Sequence, residues 1–209
     1  MRFLTFVSLL FLLTGCAPKA YRHLQKADGD ATCVQKFRPS FPRVLYQASI
    51  NVAGHQLSGL LLIKQMPDSS TRIVFTNEAG YSFFDFEFSK NGEFAVHAIV
   101  DRMDKAAVKT TLRKDFETVL MNRLDYASVL LQQKGNESYY TFKNDTDRYY
   151  YITDLSCNNL FRAERGSDSK KVMEVVLKQT NSGIPDEIHI RHFNFKFNIN
   201  LTRINDAEQ

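Results

Sequence analysis

The sequence predicts a mainly β domain: one strongly curved antiparallel sheet with helices inserted midway against its apolar face. Short β-branched and aromatic runs separated by turn residues occupy the chain from Val44 onward. One of these runs, Tyr81 to Ser89, places Phe84, Phe86 and Phe88 on a single side, a heavily aromatic face that needs a cover. An amphipathic stretch follows it in mid-chain and can supply that cover.

Five strands come first: Val44 to Val52, His55 to Gln65, Thr71 to Asn77, Tyr81 to Ser89 and Glu93 to Val100. They are joined at Ala53-Gly54, Met66 to Ser70, Ala79-Gly80 and Asn91-Gly92, the last reading as a type I′ hairpin. On the fourth strand Tyr81, Phe83, Asp85 and Glu87 share the side opposite the phenylalanines. The helical insertion spans about 104–134. Asp104 can cap a helix on which Val108, Leu112, Phe116, Val119 and Leu120 recur at helical spacing. A second helical segment, Asp125 to Lys134, carries Val129, Leu130 and Leu131 and stops before Gly135. Six more strands follow: Ser138 to Lys143, Arg148 to Thr153, Leu160 to Arg165, Lys171 to Gln179, Glu187 to His192 and Phe195 to Ile204. The last alternates Phe195, Phe197, Ile199 and Leu201 with polar residues, so one face is inside and one is wet.

The composition is that of one globular domain: 209 residues, 44% hydrophobic, 24% charged and 12% aromatic. The excess of 27 Lys+Arg over 23 Asp+Glu is too weak to announce a nucleic-acid binder. Met1-Arg2 followed by the apolar run Phe3 to Leu13 reads as a secretory signal peptide covering 1–15. It ends in Leu13-Thr14-Gly15-Cys16, which resembles a bacterial lipobox and implies acylation of Cys16. Two or three acyl chains hold a protein to a bilayer essentially permanently. Ala17 in place of Asp points, by enterobacterial sorting, to the outer membrane. Residues 16–43, which mix Pro18, Pro39, Pro42, Asp28-Gly29-Asp30 and several basic residues without sustained periodicity, read as a tether, and 44–209 as the β domain.

The order of elements from Val44 to Ile204 resembles the LolA/LolB family of lipoprotein-localisation factors. The likeness rests on Leu57-Ser58-Gly59-Leu60-Leu61-Leu62-Ile63-Lys64, Arg72-Ile73-Val74-Phe75, Gly80, Phe84-Asp85-Phe86-Glu87-Phe88 and Ile184-Pro185-Asp186-Glu187-Ile188-His189-Ile190. It implies an unclosed half-barrel of about eleven strands plugged by helices, with a hydrophobic cavity for acyl chains of a lipid or an acylated protein. Its lining would come from Phe75, Phe84, Phe86, Phe88, Phe195, Phe197 and Ile199 on the strands and from Val108, Leu112, Phe116, Val119 and Leu120 on the helix. The lipobox matches the membrane-anchored branch of the family, facing the periplasm. Trp is absent, and Met66-Pro67 is the one loop that stands as a candidate for the protruding apolar loop of that branch. The alternative is a filled aromatic core with no cavity, which turns the expectation to a periplasmic protein partner.

Hydrolase, zinc-protease and nucleotide signatures are absent, and no cofactor, metal site, nucleic-acid site or enzyme activity is expected. His189 and His192, three apart on a strand, point to opposite faces. Asp85, Glu87 and His97 form an acid/base cluster on paper, against the commoner reading of solvated strand charges. Tyr139, Tyr140, Tyr149, Tyr150 and Tyr151 with Lys143 and Arg148 suit either a stacking platform or cross-strand packing. Cys33 and Cys157 are left as a candidate disulfide or as two inert thiols.

Overall fold

The computed structural model describes residues 20–204, apart from 53, 123, 145 and 180–182, so the leader and Cys16 lie outside the described residues. The described residues form one antiparallel sheet of thirteen strands. In chain order these are β1 (Gln25–Lys26), β2 (Arg43–Val52), β3 (His55–Gln65), β4 (Thr71–Thr76), β5 (Ser82–Phe88), β6 (Phe94–Ile99), β7 (Leu130–Lys134), β8 (Glu137–Asn144), β9 (Asp147–Asp154), β10 (Leu160–Gly166), β11 (Lys171–Gln179), β12 (Pro185–His192) and β13 (Phe197–Arg203). The spatial order is β1-β7-β8-β9-β10-β11-β12-β13-β2-β3-β4-β5-β6. The edges β1 and β6 do not meet, which leaves an unclosed half-barrel with the helix α1 (Ala106–Leu120) against its concave face.

Alternation produces the two faces. Along β2, Val44, Tyr46, Ala48 and Ile50 are buried while Arg43, Gln47 and Asn51 are exposed. β2 and β3 pair without interruption from Arg43↔Lys64 to Val52↔His55. Gly59 on β3 has a steric role, because a Cβ there would stand 2.0 Å from the Thr76 carbonyl oxygen. Three turns share one design, at Met66–Ser70, Asn77–Tyr81 and Ser89–Glu93. In each, the first N–H donates to the fifth carbonyl and the fourth N–H donates to the first carbonyl. Ser69, Gly80 and Gly92 take the left-handed position, at φ 68°, 83° and 82°. Asn91-Gly92 is therefore not the expected type I′ turn, which needs positive φ at both residues. Met66-Pro67 belongs to one of these compact turns.

All eleven expected strands are present, their ends shifted by a residue or two, and β1 and β7 are additional. β7 replaces the last part of the expected second helix. Its contiguous Val129-Leu130-Leu131 fits either period, and pairing with β8 decides for a strand, with Leu131 buried and Leu130 43% exposed. Gly135, expected to end that helix, sits in the two-residue β7–β8 turn at φ 59°. On α1 the expected face is the buried one: Leu112, Phe116, Val119 and Leu120 are covered and Val108 is half-buried. Its N-cap is Lys105, which makes no side-chain cap bond, and Asp104 instead accepts from Lys109 Nζ at 2.6 Å.

The expected tether is, from residue 20 on, part of the domain. Val34 and Phe41 lie in the main core, β1 pairs with β7, and Cys33 is joined to Cys157. On the convex face Tyr21 stacks on Tyr150 at 3.8 Å between ring centres, and its hydroxyl donates to Glu164 at 2.9 Å. Arg162 bridges Glu164 and Glu137 beside it and holds the Glu137 carboxyl below its ordinary range. Because consecutive strands reverse direction, the facing ends Val52/His55 of β2–β3 and Asn144/Asp147 of β8–β9 and the turns 77–81, 167–170 and 193–196 share one end of the half-barrel with the loop 100–105 that leads into α1.

Candidate functional site

At that shared end the concave face holds a cavity of about 300 Å³. Its walls are Ile50 and Val52 of β2, Leu57 of β3, Ala107, Val108, Thr111 and Leu112 of α1, Arg102 and Met103 of the preceding loop, Phe195 of the β12–β13 turn, and Phe197 at the start of β13. Val52 and Leu57 lie on the inward face close to the β2–β3 end, and Ala107 and Thr111 of α1 share the cavity with them. Small side chains opposite a sheet end leave space that large ones would fill. A second hollow of about 730 Å³ shares Val52, Leu57, Arg102 and Met103 with the first and continues to Tyr81, Phe83 and Ile99. The four shared residues border both.

Phe83 reaches the cavity side through a register irregularity. The β4–β5 pairing slips after Phe75, and Phe83 stacks on Phe75 at 4.8 Å instead of joining Asp85 and Glu87 on the outer face. Farther along the half-barrel the core is filled. Phe84 and Phe86 stack at 4.4 Å, and Phe116 of α1 meets Phe84 at 6.1 Å and Phe88 at 6.4 Å. Of the residues expected to line a cavity, Val108, Leu112, Phe195 and Phe197 do so. Phe75, Phe84, Phe86, Phe116, Val119 and Ile199 do not line it; they are buried core, because facing rings close the space between sheet and helix. Phe88 and Leu120 do not line it either; they are buried and border a separate hollow of about 560 Å³ at the opposite end, beside Phe41 and the Ser89–Glu93 turn. Phe195 precedes β13 rather than starting it, and it is 44% exposed.

No family model and no curated protein matches the sequence. Among solved structures the chain is similar to a DUF1329 family protein from Desulfovibrio piger, with 13% identity and a TM-score of 0.45 over 86% of this chain and 91% of that one. It is also similar to a domain from Vibrio parahaemolyticus named for outer membrane lipoprotein sorting, with 7% identity and a TM-score of 0.43 over 86% and 94% of the two chains. Likenesses at this level carry no argument about function, which rests on the cavity itself.

The cavity lining is alkyl and aromatic apart from the Arg102 guanidinium and the Thr111 hydroxyl. It has no paired acid and base. About 300 Å³ is the lower bound of ordinary ligand sites, ~300–1,000 Å³, and suits a single alkyl chain. Behind it, Asp115 of α1 is fully buried, with His192 Nε2 at 2.7 Å and Arg165 Nη2 at 3.1 Å. The His192 ring packs against Phe195 and Phe197, at 4.7 and 5.0 Å between centres, so this polar tie backs the cavity wall.

The other sequence candidates separate by face. His189 meets Glu187 and Asn200 on the outside, whereas His192 is inside. Asp85 is held bidentate by Arg72 at 2.6 and 2.8 Å, and His97 pairs with Glu87 on the outer face. All five tyrosines of the 139–151 group are buried, so they are cross-strand packing and not a stacking platform. Tyr140, Tyr149 and Tyr151 face the core, where the Tyr151 hydroxyl donates to the Thr118 carbonyl of α1 at 3.1 Å. Tyr139 and Tyr150 lie under the N-terminal segment. Sequence reasoning did not single out Ile50, Val52, Leu57, Met103, Ala107 and Thr111 as lining. The signal available for them was positional: inward residues nearest a turn, opposite small residues on the helix.

Proposed function

We propose that this chain is an envelope lipoprotein, anchored through acylated Cys16 to the outer membrane and facing the periplasm. It holds an acyl chain of a lipid or lipoprotein non-covalently at the end of its half-barrel. It acts by binding rather than by catalysis, with a place in lipoprotein transport. The observation that carries the reading is the apolar cavity between the first turns of α1 and the β2–β3 end. The lipobox and the sequence resemblance to lipoprotein-localisation factors support it. The test is binding of a fluorescent fatty acid to the chain and to Val108→Trp, which fills the cavity from a half-buried position. The reading expects binding by the first and its loss in the second. No binding by either, or equal binding by both, overturns it. The packed rings below the cavity favour a second reading, an assembly lipoprotein that docks a protein partner. That reading expects no bound lipid and a specific co-purifying protein.

A further inference from the structure

Chain exit and cavity lie at the same end of this fold. Ala20, the first described residue, donates its N–H to the Ser169 carbonyl in the β10–β11 turn at 2.9 Å. That turn is the neighbour of the β12–β13 turn, since Phe193 N–H donates to the Val172 carbonyl at 2.9 Å. The β12–β13 turn in turn supplies Phe195 to the cavity wall. Cys16 precedes Ala20 by only four residues, and extended backbone covers at most ~3.6 Å per residue, so the anchor lies within roughly 15 Å of this end.

The same end carries the surface that a bilayer would favour. Among the described residues four aromatic side chains are largely exposed, Tyr81, Phe161, Phe193 and Phe195, and all but Phe161 are here. Phe193 lies under two cations, Lys171 Nζ at 4.6 Å and the Arg191 guanidinium at 5.1 Å from its ring centre. Arg191 and Lys196 flank the two phenylalanines in Arg191-His192-Phe193-Asn194-Phe195-Lys196, a segment without an acidic residue. Exposed rings bordered by basic side chains partition into the headgroup region of a membrane, and anionic lipids strengthen the attachment.

We infer that the half-barrel stands with its cavity end on the bilayer that holds its own anchor, with Phe193 and Phe195 inserted among anionic phospholipids. This rests on the anchoring of Cys16 proposed above. It places the acyl-chain cavity against the membrane instead of toward the open periplasm, so a chain can pass between bilayer and cavity beside Phe195.

The chain has no Trp, so one introduced Trp is a unique fluorophore. The full chain, purified with its anchor, is reconstituted into vesicles of phosphatidylethanolamine and phosphatidylglycerol that carry bromine in their acyl chains. Phe193→Trp, Phe195→Trp and Tyr81→Trp replace exposed rings at this end, and Lys90→Trp reports from the opposite end in the Ser89–Glu93 turn. The expected result is blue-shifted emission with most of its intensity quenched at 193 and 195, a smaller loss at 81, and water-like, unquenched emission at 90. Intact mass of the same samples reports the acyl groups on Cys16. An acylated chain in which Phe193→Trp and Phe195→Trp emit as Lys90→Trp does overturns the orientation alone. A chain recovered without acyl groups overturns the anchor, and the orientation with it.

Discussion

His192 Nε2 stands 2.7 Å from Asp115 Oδ2, and both side chains are shut from solvent. Arg165 reaches the other oxygen of Asp115 at 3.1 Å, so one carboxylate on α1 is tied to both β10 and β12. Removing one partner of a buried ion pair costs about 3–5 kcal/mol where it leaves the other charge uncompensated, and because Arg165 keeps Asp147 at 3.6 Å the low end of that range applies here. Asp115→Ala is expected to destabilise the protein by that amount in urea denaturation, with Asp115→Asn costing less because it keeps the hydrogen-bonding shape. An Asp115→Ala loss below about 1 kcal/mol would show that α1 is held by its apolar face alone.

The disulfide ties the N-terminal segment to the β9–β10 loop across 124 residues of sequence. Closing so long a loop restricts the unfolded chain, and losing such a bond typically costs about 2–5 kcal/mol. Cys33→Ser and Cys157→Ser should each lower the denaturation midpoint by the same amount, and the double variant should add little. Unequal losses would point to packing of the two sites rather than to the bond.

Gly59→Ala places a methyl group on the Thr76 carbonyl. Backbone must move to admit it, and overpacking of this kind costs about 1–3 kcal/mol. Thermal unfolding of Gly59→Ala beside Ser58→Ala, a change at the exposed neighbour, measures the difference. Equal midpoints would refute the close approach of β3 and β4.

Burial pushes the phenols of Tyr21, Tyr46, Tyr139, Tyr150 and Tyr151 above their ordinary value, and the Glu164 charge adds to the effect at Tyr21. The fold therefore keeps protons that the unfolded chain releases near pH ~10. Their contribution is complete below that pH and shrinks as pH rises above it, by up to about 1.4 kcal/mol per pH unit for each tyrosine still protonated in the fold. Denaturation midpoints should hold steady from pH 8 to 9 and fall steeply above 10, and Tyr21→Phe should soften the fall.

The half-barrel was legible because its strands alternate cleanly and α1 carries one apolar stripe. Phe84, Phe86, Phe88 and Phe116 are inward as expected, yet alternation says only which side a residue faces, not whether anything stands opposite. Opposite Phe84 stands Phe116, and the space is full; opposite Leu57 stands the first turn of α1, and space remains. β7 reads as helix from sequence because three adjacent apolar residues satisfy both periods until a partner strand chooses. Phe83 reads as outward because a slip in register leaves no mark on local sequence.

Lipid carried by the protein itself tests the acyl-binding claim most directly. Native mass spectrometry with organic extraction, applied to a secreted Cys16→Ser chain so that no covalent anchor contributes, should find one acyl species per chain. That species should vanish in Val108→Trp while Phe161→Trp, remote from the cavity, retains it. A clean apo mass for the parent chain, with no extractable lipid, would contradict the account and leave the cavity as a packing gap.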